Sequence, residues 1–123
     1  MAKPGMKVVV FSGDGDLISI GGNHFIHAAR RNLDLTVICV NNYNYGMTGG
    51  QVSPTTPVGG QSTTTPYGNA EEPFDLCKLA IGAGAPHVSR WVPGFPYETV
   101  QALENAIRKP GFSFVELLMP CPT

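Results

Sequence analysis

The pattern of apolar and polar residues along the chain predicts a parallel α/β sheet. Four short apolar runs have the length of strands: 7–12, 36–40, 87–92 and 112–119. Three longer stretches repeat apolar residues at helical intervals: 17–32, 74–83 and 97–109. Strands that alternate with helices are typical of a parallel sheet with helices on both faces. The first run, KVVVFS, shows no polar alternation, which predicts a strand buried on both faces.

Residues 43–72 break this alternation. The segment is rich in Gly, Pro, Thr, Ser and Asn and has no sustained apolar period over about 30 residues. Connections of that length inside a compact domain are usually functional loops or disordered linkers. Its aromatic residues and prolines favour an ordered functional loop.

Composition narrows the class of protein. From its length alone, the chain of 123 residues, 1–123, is predicted to form a single domain. A net charge of -1 with 14% charged residues excludes a basic surface for nucleic acid or an anionic membrane. No apolar run is long enough to cross a bilayer and no signal peptide is evident, which predicts a cytoplasmic protein. Because 42% of the residues are hydrophobic, we expect another chain to cover part of the surface.

The sequence Gly13-Asp14-Gly15 and the pair Asn41-Asn42 carry the clearest chemical signal. Asp14 and Asn42 each follow a predicted strand, and they are 28 positions apart. A right-handed crossover would bring both side chains to the carboxyl edge of one sheet, where a metal diphosphate would bind. Mg²⁺ prefers oxygen ligands and completes its shell with phosphate and water. An isolated Asp at this position could simply cap the helix, but the paired Asn favours a metal ligand.

Other nucleotide and metal motifs are missing from the sequence. A dinucleotide fingerprint would need glycine at position 18, which is Ile18, and no Gly-Lys-Ser or Gly-Lys-Thr of a P-loop occurs. His24 and His27 have a spacing that can share a metal, but no third ligand is evident, so packing on a helix face explains them better. No nucleophile and base pair, and no other catalytic acid or base, can be identified.

The motifs resemble those of one enzyme family over nearly the whole chain. GDGDLISIGGNHFIHAARRN, NNYNYGMTGGQVSPTTP, TTTPYGN and the terminal PCPT resemble the β subunit of 2-oxoacid:ferredoxin oxidoreductases, nearest the 2-oxoglutarate type. The resemblance implies the diphosphate half of a thiamine diphosphate-binding domain that also binds Mg²⁺. It further implies CoA-dependent oxidative decarboxylation of a 2-oxoacid, with ferredoxin as electron acceptor and an α subunit that completes the active site. A pyruvate-type or other thiamine diphosphate enzyme is an open alternative.

The resemblance also assigns residues to the cofactor site. Asp14 and Asn42 would bind Mg²⁺ through their side chains and Asn44 through its backbone carbonyl. The glycines of the GDG motif would let the backbone approach the diphosphate. Asp16 would accept a hydrogen bond near the diphosphate or cap the helix. Beside the thiazolium, the resemblance places Tyr45, Gly46, Met47 and Thr48, although core packing is an alternative for Tyr45 and Met47.

Cys121 has a separate implied role. Cys39 and Cys77 lie in apolar segments and are predicted to be small buried thiols, whereas Cys121 lies between Pro120 and Pro122 at an exposed chain end. By resemblance, Cys121 is the last ligand of a [4Fe-4S] cluster, which needs four thiolates and therefore the complete subunit. The family's C-x-x-C segment and C-terminal extension are not in this sequence, so we expect a fragment. Such a fragment could be a catalytically silent cofactor-binding module; a nucleotide-binding α/β domain is a third hypothesis.

Overall fold

The computed structural model describes residues 5–122 and contains a four-stranded parallel sheet. Its strands are β1 (Val8–Gly13), β2 (Leu35–Asn41), β5 (His87–Trp91) and β6 (Ser113–Leu118). They lie in the order β1-β2-β6-β5, and every neighbouring pair is parallel. The predicted α/β fold class is therefore confirmed. All four predicted strands exist, with ends that differ from the prediction by at most one residue.

Helices cover both faces of the sheet. They are α1 (Gly22–Arg30), α2 (Leu76–Gly82) and α3 (Pro96–Arg108). Helices α1 and α2 pack on one face, where Phe25 meets Phe112 and Phe114 edge-on with ring centroids 5.8 and 5.0 Å apart. Helix α3 packs on the other face, where Ala106 lies against Ile38 and other buried residues. The central strands β2 and β6 are buried on both sides. Because they are parallel, their carboxyl ends emerge at the same edge of the sheet.

The predicted continuous helix over 17–32 is wrong. The structure has a π-helical turn, Asp16–Ile20, and then α1. Between them the Gly21 N–H donates to the Asp16 carbonyl at 2.9 Å. A Cβ on Gly21 would lie 2.8 Å from that same carbonyl oxygen, so the wider turn closes only because residue 21 is glycine. Apolar spacing predicts a helix here but does not distinguish its hydrogen-bonding pattern.

Strand β1 is also not buried as predicted. It forms one edge of the sheet, and Phe11 is 71% exposed. Val8 and Val10 are each 38% exposed. An edge strand has a single neighbour and less helix cover, so a continuous apolar run does not by itself indicate burial on both faces.

The long loop is ordered by hydrogen bonds between polar side chains and the backbone. It contains a short antiparallel ladder between β3 (Asn44–Tyr45) and β4 (Gln51–Val52). Asn69 is buried and donates from Nδ2 to the carbonyls of Thr56, at 2.8 Å, and Glu71, at 2.9 Å. Ser53 and Thr55 of this loop contact Asp14, which directly follows β1, so the loop folds back onto the carboxyl edge of the sheet. Within residues 5–122, no helix has both the length and the apolar character needed to cross a membrane.

Candidate functional site

The ends of β1 and β2 bring the predicted site residues to one cavity. Gly13 lies opposite Val40 in the parallel ladder, so the chain leaves both strands at the same edge. A cavity of about 370 Å³ opens there. Its lining residues are Gly13, Asp14, Gly15, Asp16, Val40, Asn42, Asn44, Tyr45, Gly46, Met47 and Thr48. All ten residues predicted to bind the cofactor are among them; Cys121, predicted as a cluster ligand, is not.

Three polar groups meet at the base of this cavity. One terminal atom of the Asn42 amide lies 3.0 Å from Asp14 Oδ1 and 2.7 Å from the Asn44 carbonyl oxygen. With nitrogen in that position the amide donates to both oxygens. With the amide rotated, oxygen takes the same position and three oxygens converge. Such a cluster of oxygens could hold a divalent cation.

Asp14 is held by the long loop. Its carboxylate is 1% exposed, and Oδ2 accepts hydrogen bonds from Ser53 Oγ at 2.7 Å and Thr55 Oγ1 at 2.5 Å. Both hydroxyls are buried as well. Because these donors satisfy Oδ2, Oδ1 is the oxygen that faces Asn42. The simple helix-capping alternative for Asp14 is thus not what the structure shows.

Ser53 and Thr55 were not predicted individually from the sequence. They belong to the Ser-Pro-Thr-Thr-Pro segment, which is about 40 residues from Asp14 along the chain. The two prolines restrict the backbone at these positions. The only sequence signal for their role was a cluster of hydroxyl residues within an unusually long loop.

Gly15 is required by the ring of Tyr45. The Tyr45 hydroxyl donates to the Gly15 carbonyl at 3.1 Å, and the ring lies over the glycine. A Cβ on residue 15 would come within 3.0 Å of three ring atoms. Tyr45 is half-buried, its hydroxyl is hydrogen-bonded and its ring lines the cavity. It is therefore both a packed aromatic residue and a cavity-lining residue.

The remaining lining residues differ in exposure. Asp16 does not cap a helix: its Oδ2 accepts from Ser12 Oγ at 2.8 Å at the cavity wall. Met47 is fully exposed at 103%, which excludes core packing within the described residues. Thr48 is exposed, and its hydroxyl donates to Gln51 Oε1 at 2.6 Å. Nothing lies within 4 Å of a Cβ built on Gly13, so the main chain there borders open space.

Cys121 lies beside the same loop. A Cβ built on Gly46 would be 2.9 Å from Cys121 Sγ and 3.3 Å from Asn42 Nδ2. The thiol is half-buried, rather than on the exposed chain end that was predicted. Cys39 is fully buried as predicted, whereas the prediction that Cys77 is buried is wrong, because this thiol is half-buried.

An ionic network centred on the buried Glu116 lies beside the site and was missed by sequence reasoning. Glu116 is 1% exposed and accepts from Asn41 Nδ2 and from Arg90 Nε, each at 2.7 Å. Arg90 also donates to Asp75 at 2.7 Å. Burial opposes the charged form of Arg90, but its hydrogen bond to Glu116 and the charge of that carboxylate raise the pKa of the guanidinium above its ordinary value. The network therefore holds a permanent cation against Glu116.

The histidines lie away from this cavity. His24 and His27 are exposed on α1, and His24 borders an apolar groove of about 350 Å³ between α1 and β1. In the part of the chain that the structure describes, no group of three or more His, Cys, Asp or Glu residues is placed to hold a metal.

Comparison with known proteins agrees with this architecture. The family model for the thiamine pyrophosphate enzyme C-terminal TPP-binding domain matches residues 1–117. The 2-oxoglutarate synthase subunit KorB of Methanocaldococcus jannaschii is 59% identical over 123 residues, which is all of this chain and 46% of that protein. The subunit of the same name from Archaeoglobus fulgidus is 56% identical, with the same coverage. The chain thus spans about half the length of the curated relatives that it matches.

A solved structure extends the comparison to the fold. The 2-oxoglutarate:ferredoxin oxidoreductase from Magnetococcus marinus, with 2-oxoglutarate, coenzyme A and succinyl-CoA bound, matches with a TM-score of 0.96 at 38% identity. The match covers 99% of this chain and 42% of that one. The resemblance seen in the sequence motifs is therefore confirmed. The chain belongs to the family of thiamine pyrophosphate enzyme C-terminal TPP-binding domains.

Proposed function

We propose that this chain binds Mg²⁺ and the diphosphate of thiamine diphosphate in the cavity at the carboxyl edge of the sheet. The observation that carries the proposal is the spacing of 3.0 and 2.7 Å from the Asn42 amide to Asp14 Oδ1 and the Asn44 carbonyl. Mg²⁺ holds its ligands at about 2.0–2.1 Å in an octahedron, so adjacent ligand oxygens are about 3 Å apart. With its oxygen in that position, the Asn42 amide would lie at nearly that spacing from each of the other two oxygens. Phosphate oxygens and water would complete the shell.

The rest of the cavity suits a diphosphate next to the metal. The open space around Gly13 lets a phosphate approach the main chain where a side chain would block it. Ser53 and Thr55 hold Asp14 in place from behind, so metal binding would not need to order that carboxylate. When bound, thiamine diphosphate supplies the electron sink that decarboxylation of a 2-oxoacid requires. Tyr45, Met47 and Thr48 would border its thiazolium ring.

The cavity in this chain would form only part of an active site. Met47 is fully exposed at its rim, whereas cofactor sites usually bury most of the ligand surface. The relatives are named as subunits, which supports an α subunit as the partner that completes the pocket. One cysteine cannot hold a [4Fe-4S] cluster, so Cys121 would supply one thiolate of such a cluster only in the complete subunit.

The complete protein would be a 2-oxoglutarate-type ferredoxin oxidoreductase. It would couple decarboxylation of the 2-oxoacid and acyl transfer to coenzyme A with the reduction of ferredoxin. The names of the relatives and the ligands in the Magnetococcus marinus structure support this substrate class. By itself, the 123-residue chain would bind cofactor without turnover, since no catalytic acid or base is identified in it.

The metal site is tested by Asp14→Asn. The variant keeps the shape of the side chain and an oxygen for Ser53 and Thr55, but it removes the charge and presents an amide nitrogen where Oδ1 was. We expect thiamine diphosphate affinity in the presence of Mg²⁺, measured by calorimetry, to fall at least 10-fold to the level seen with a chelator. Asn42→Ala should weaken binding less, because it removes a neutral ligand.

Asp34→Asn is the matched control. It makes the same substitution at a carboxylate that pairs with Lys7 at the opposite end of β2. We expect it to bind thiamine diphosphate like the unmodified chain. Unchanged affinity and Mg²⁺ dependence in Asp14→Asn, with circular dichroism showing a folded protein, would refute the metal site.

The reaction is tested separately with the complete subunit and its partner. We expect reduction of ferredoxin that needs both 2-oxoglutarate and coenzyme A and is slower with pyruvate. Preference for pyruvate would overturn the substrate assignment but leave the metal site intact. Ferredoxin reduction by the 123-residue chain alone would overturn the claim that it is silent.

A further inference from the structure

Asn41, the residue before the proposed metal ligand Asn42, makes a different set of contacts. Asn41 is 2% exposed and does not line the cavity; its side chain contacts the buried Glu116 instead. Nδ2 donates to Glu116 Oε1 at 2.7 Å, while Oδ1 accepts from the Tyr43 N–H at 3.0 Å. The same Oδ1 lies 3.2 Å from Thr55 Oγ1, which contacts Asp14. One amide therefore joins the sheet, the loop after β2 and the hydroxyl that holds Asp14.

Tyr43 shows why the loop needs this support. Its φ is +63°, a left-handed conformation that non-glycine residues rarely adopt. The Tyr43 peptide is held on both sides, because Asn41 Oδ1 accepts its N–H and Thr56 Oγ1 donates to its carbonyl at 2.6 Å. A local bond from an Asn side chain to the N–H two residues later stabilises turns of this kind. The turn lies between Asn42 and Asn44 and so sets the positions of both.

Glu116 fixes which way the Asn41 amide faces. Its carboxylate is paired with Arg90 at 2.7 Å and, when ionised, accepts hydrogen bonds only. It therefore requires the NH₂ group of Asn41 on its side, which leaves Oδ1 for the Tyr43 N–H. If the amide rotated, its NH₂ would face that N–H and the turn would lose its acceptor.

We infer that Asn41 and Glu116 form a positioning pair that sets the geometry of the metal ligands Asn42 and Asn44. This inference rests on the metal site proposed above. Neither residue would contact the metal or the cofactor; they act through the Tyr43 turn. Groups that orient metal ligands in this way typically change metal affinity 10–100-fold when they are removed.

Exchange of donor and acceptor tests the pair. Asn41→Asp places two carboxylates face to face. In Glu116→Gln, Asn41 and Arg90 both need an acceptor from residue 116, but the new amide has an oxygen for only one of them. In the double variant Asn41→Asp/Glu116→Gln, the Gln NH₂ can donate to the Asp while its oxygen still accepts from Arg90. The net charge is also that of the unmodified pair. We expect the Mg²⁺ concentration that half-saturates thiamine diphosphate binding to rise at least 10-fold in each single variant and to recover to within about 3-fold in the double variant.

Thr36→Val separates positioning from general stability. Thr36 is also buried on β2, and its hydroxyl donates to the Ala106 carbonyl at 3.1 Å at the far end of the strand. We expect this variant to lower the melting temperature without changing the Mg²⁺ requirement. Mn²⁺ in place of Mg²⁺ gives a spectroscopic readout, since its electron paramagnetic resonance spectrum should change in the single Asn41 and Glu116 variants and not in Thr36→Val.

The outcomes distinguish this inference from the proposed function. If Asp14→Asn abolishes Mg²⁺-dependent binding but the Asn41 and Glu116 single variants bind Mg²⁺ normally, the positioning pair is refuted and the metal site stands. A double variant that folds but binds Mg²⁺ as poorly as the single variants would also refute the pair. If Asp14→Asn has no effect, the metal site itself fails. If a single variant does not fold, the double variant decides the question: recovered Mg²⁺-dependent binding supports the pair, and lost binding in a folded double variant refutes it.

Discussion

The contact between Gly15 and Tyr45 gives a sharp test of how the cavity is built. Gly15→Ala would place a methyl group within 3.0 Å of three atoms of the Tyr45 ring. The ring can move away only by giving up its hydrogen bond of 3.1 Å to the Gly15 carbonyl, a contribution of about 0.5–1.5 kcal/mol. Overpacking at a closely packed site costs about 1–3 kcal/mol, and the half-buried ring can relieve part of it.

We therefore expect the free energy of unfolding to fall by about 1–3 kcal/mol in Gly15→Ala. For a chain of this size that corresponds to a decrease in melting temperature on the order of 4–12 °C. Thermal unfolding followed by circular dichroism measures it. Thiamine diphosphate binding should weaken as well, because the displaced ring forms part of the cavity wall.

A double-mutant cycle assigns the effect to the ring. Tyr45→Ala removes the atoms that the new methyl group would meet, so Gly15→Ala should cost little more in that background. Gly13→Ala is the matched glycine control, since nothing lies within 4 Å of its Cβ; it should weaken cofactor binding with little loss of stability. Equal destabilisation by Gly15→Ala with and without the Tyr45 ring would refute the reasoning.

Two further predictions concern ionisable groups away from the cavity. Burial raises the pKa of the Cys77 thiol to about 12 and that of the Cys39 thiol above its ordinary value. Neither thiol should therefore react with iodoacetamide at pH 8 in the folded chain. An adduct on Cys77, detected by mass spectrometry, would contradict this prediction. Burial, with a smaller effect of the Lys109 charge, lowers the pKa of His87 below 6.5. The folded state therefore binds fewer protons than the unfolded state. The free energy of unfolding should decrease as pH falls below about 6.5. His87→Gln should lose less melting temperature than the unmodified chain between pH 7 and 5.5, and an equal loss would show that His87 is not responsible.

Two of the three proposed ligands could be predicted from the sequence because each directly follows a strand. Asp14 and Asn42 come after apolar runs whose parallel pairing requires a crossover, so their meeting at one sheet edge follows from topology. The motif residues around them were then recognised by resemblance. Coordinates were needed to show that the Asn42 amide lies within 3.0 Å of both Asp14 Oδ1 and the Asn44 carbonyl oxygen.

The supporting residues could not be predicted in the same way. Ser53 and Thr55 reach Asp14 across an irregular loop, and nothing in local spacing indicates which hydroxyl will turn inward. Glu116 lies in a strand whose other residues are mostly apolar, and its partners Asn41 and Arg90 come from two different strands. Such contacts depend on the register of the sheet, which the sequence does not state locally.

Local sequence patterns were enough to predict the alternation of strands and helices, the sheet edge proposed as the site and the class of ligand that the GDG and Asn-Asn motifs suit. These features depend on short-range periodicity and on residue type. The folded chain was needed to show that β1 is an exposed edge, that a π-helical turn interrupts the first helix and that a buried carboxylate supports the ligand loop. The physical reason is that exposure and long-range hydrogen bonds depend on which segments become neighbours, and that is settled when the whole chain packs.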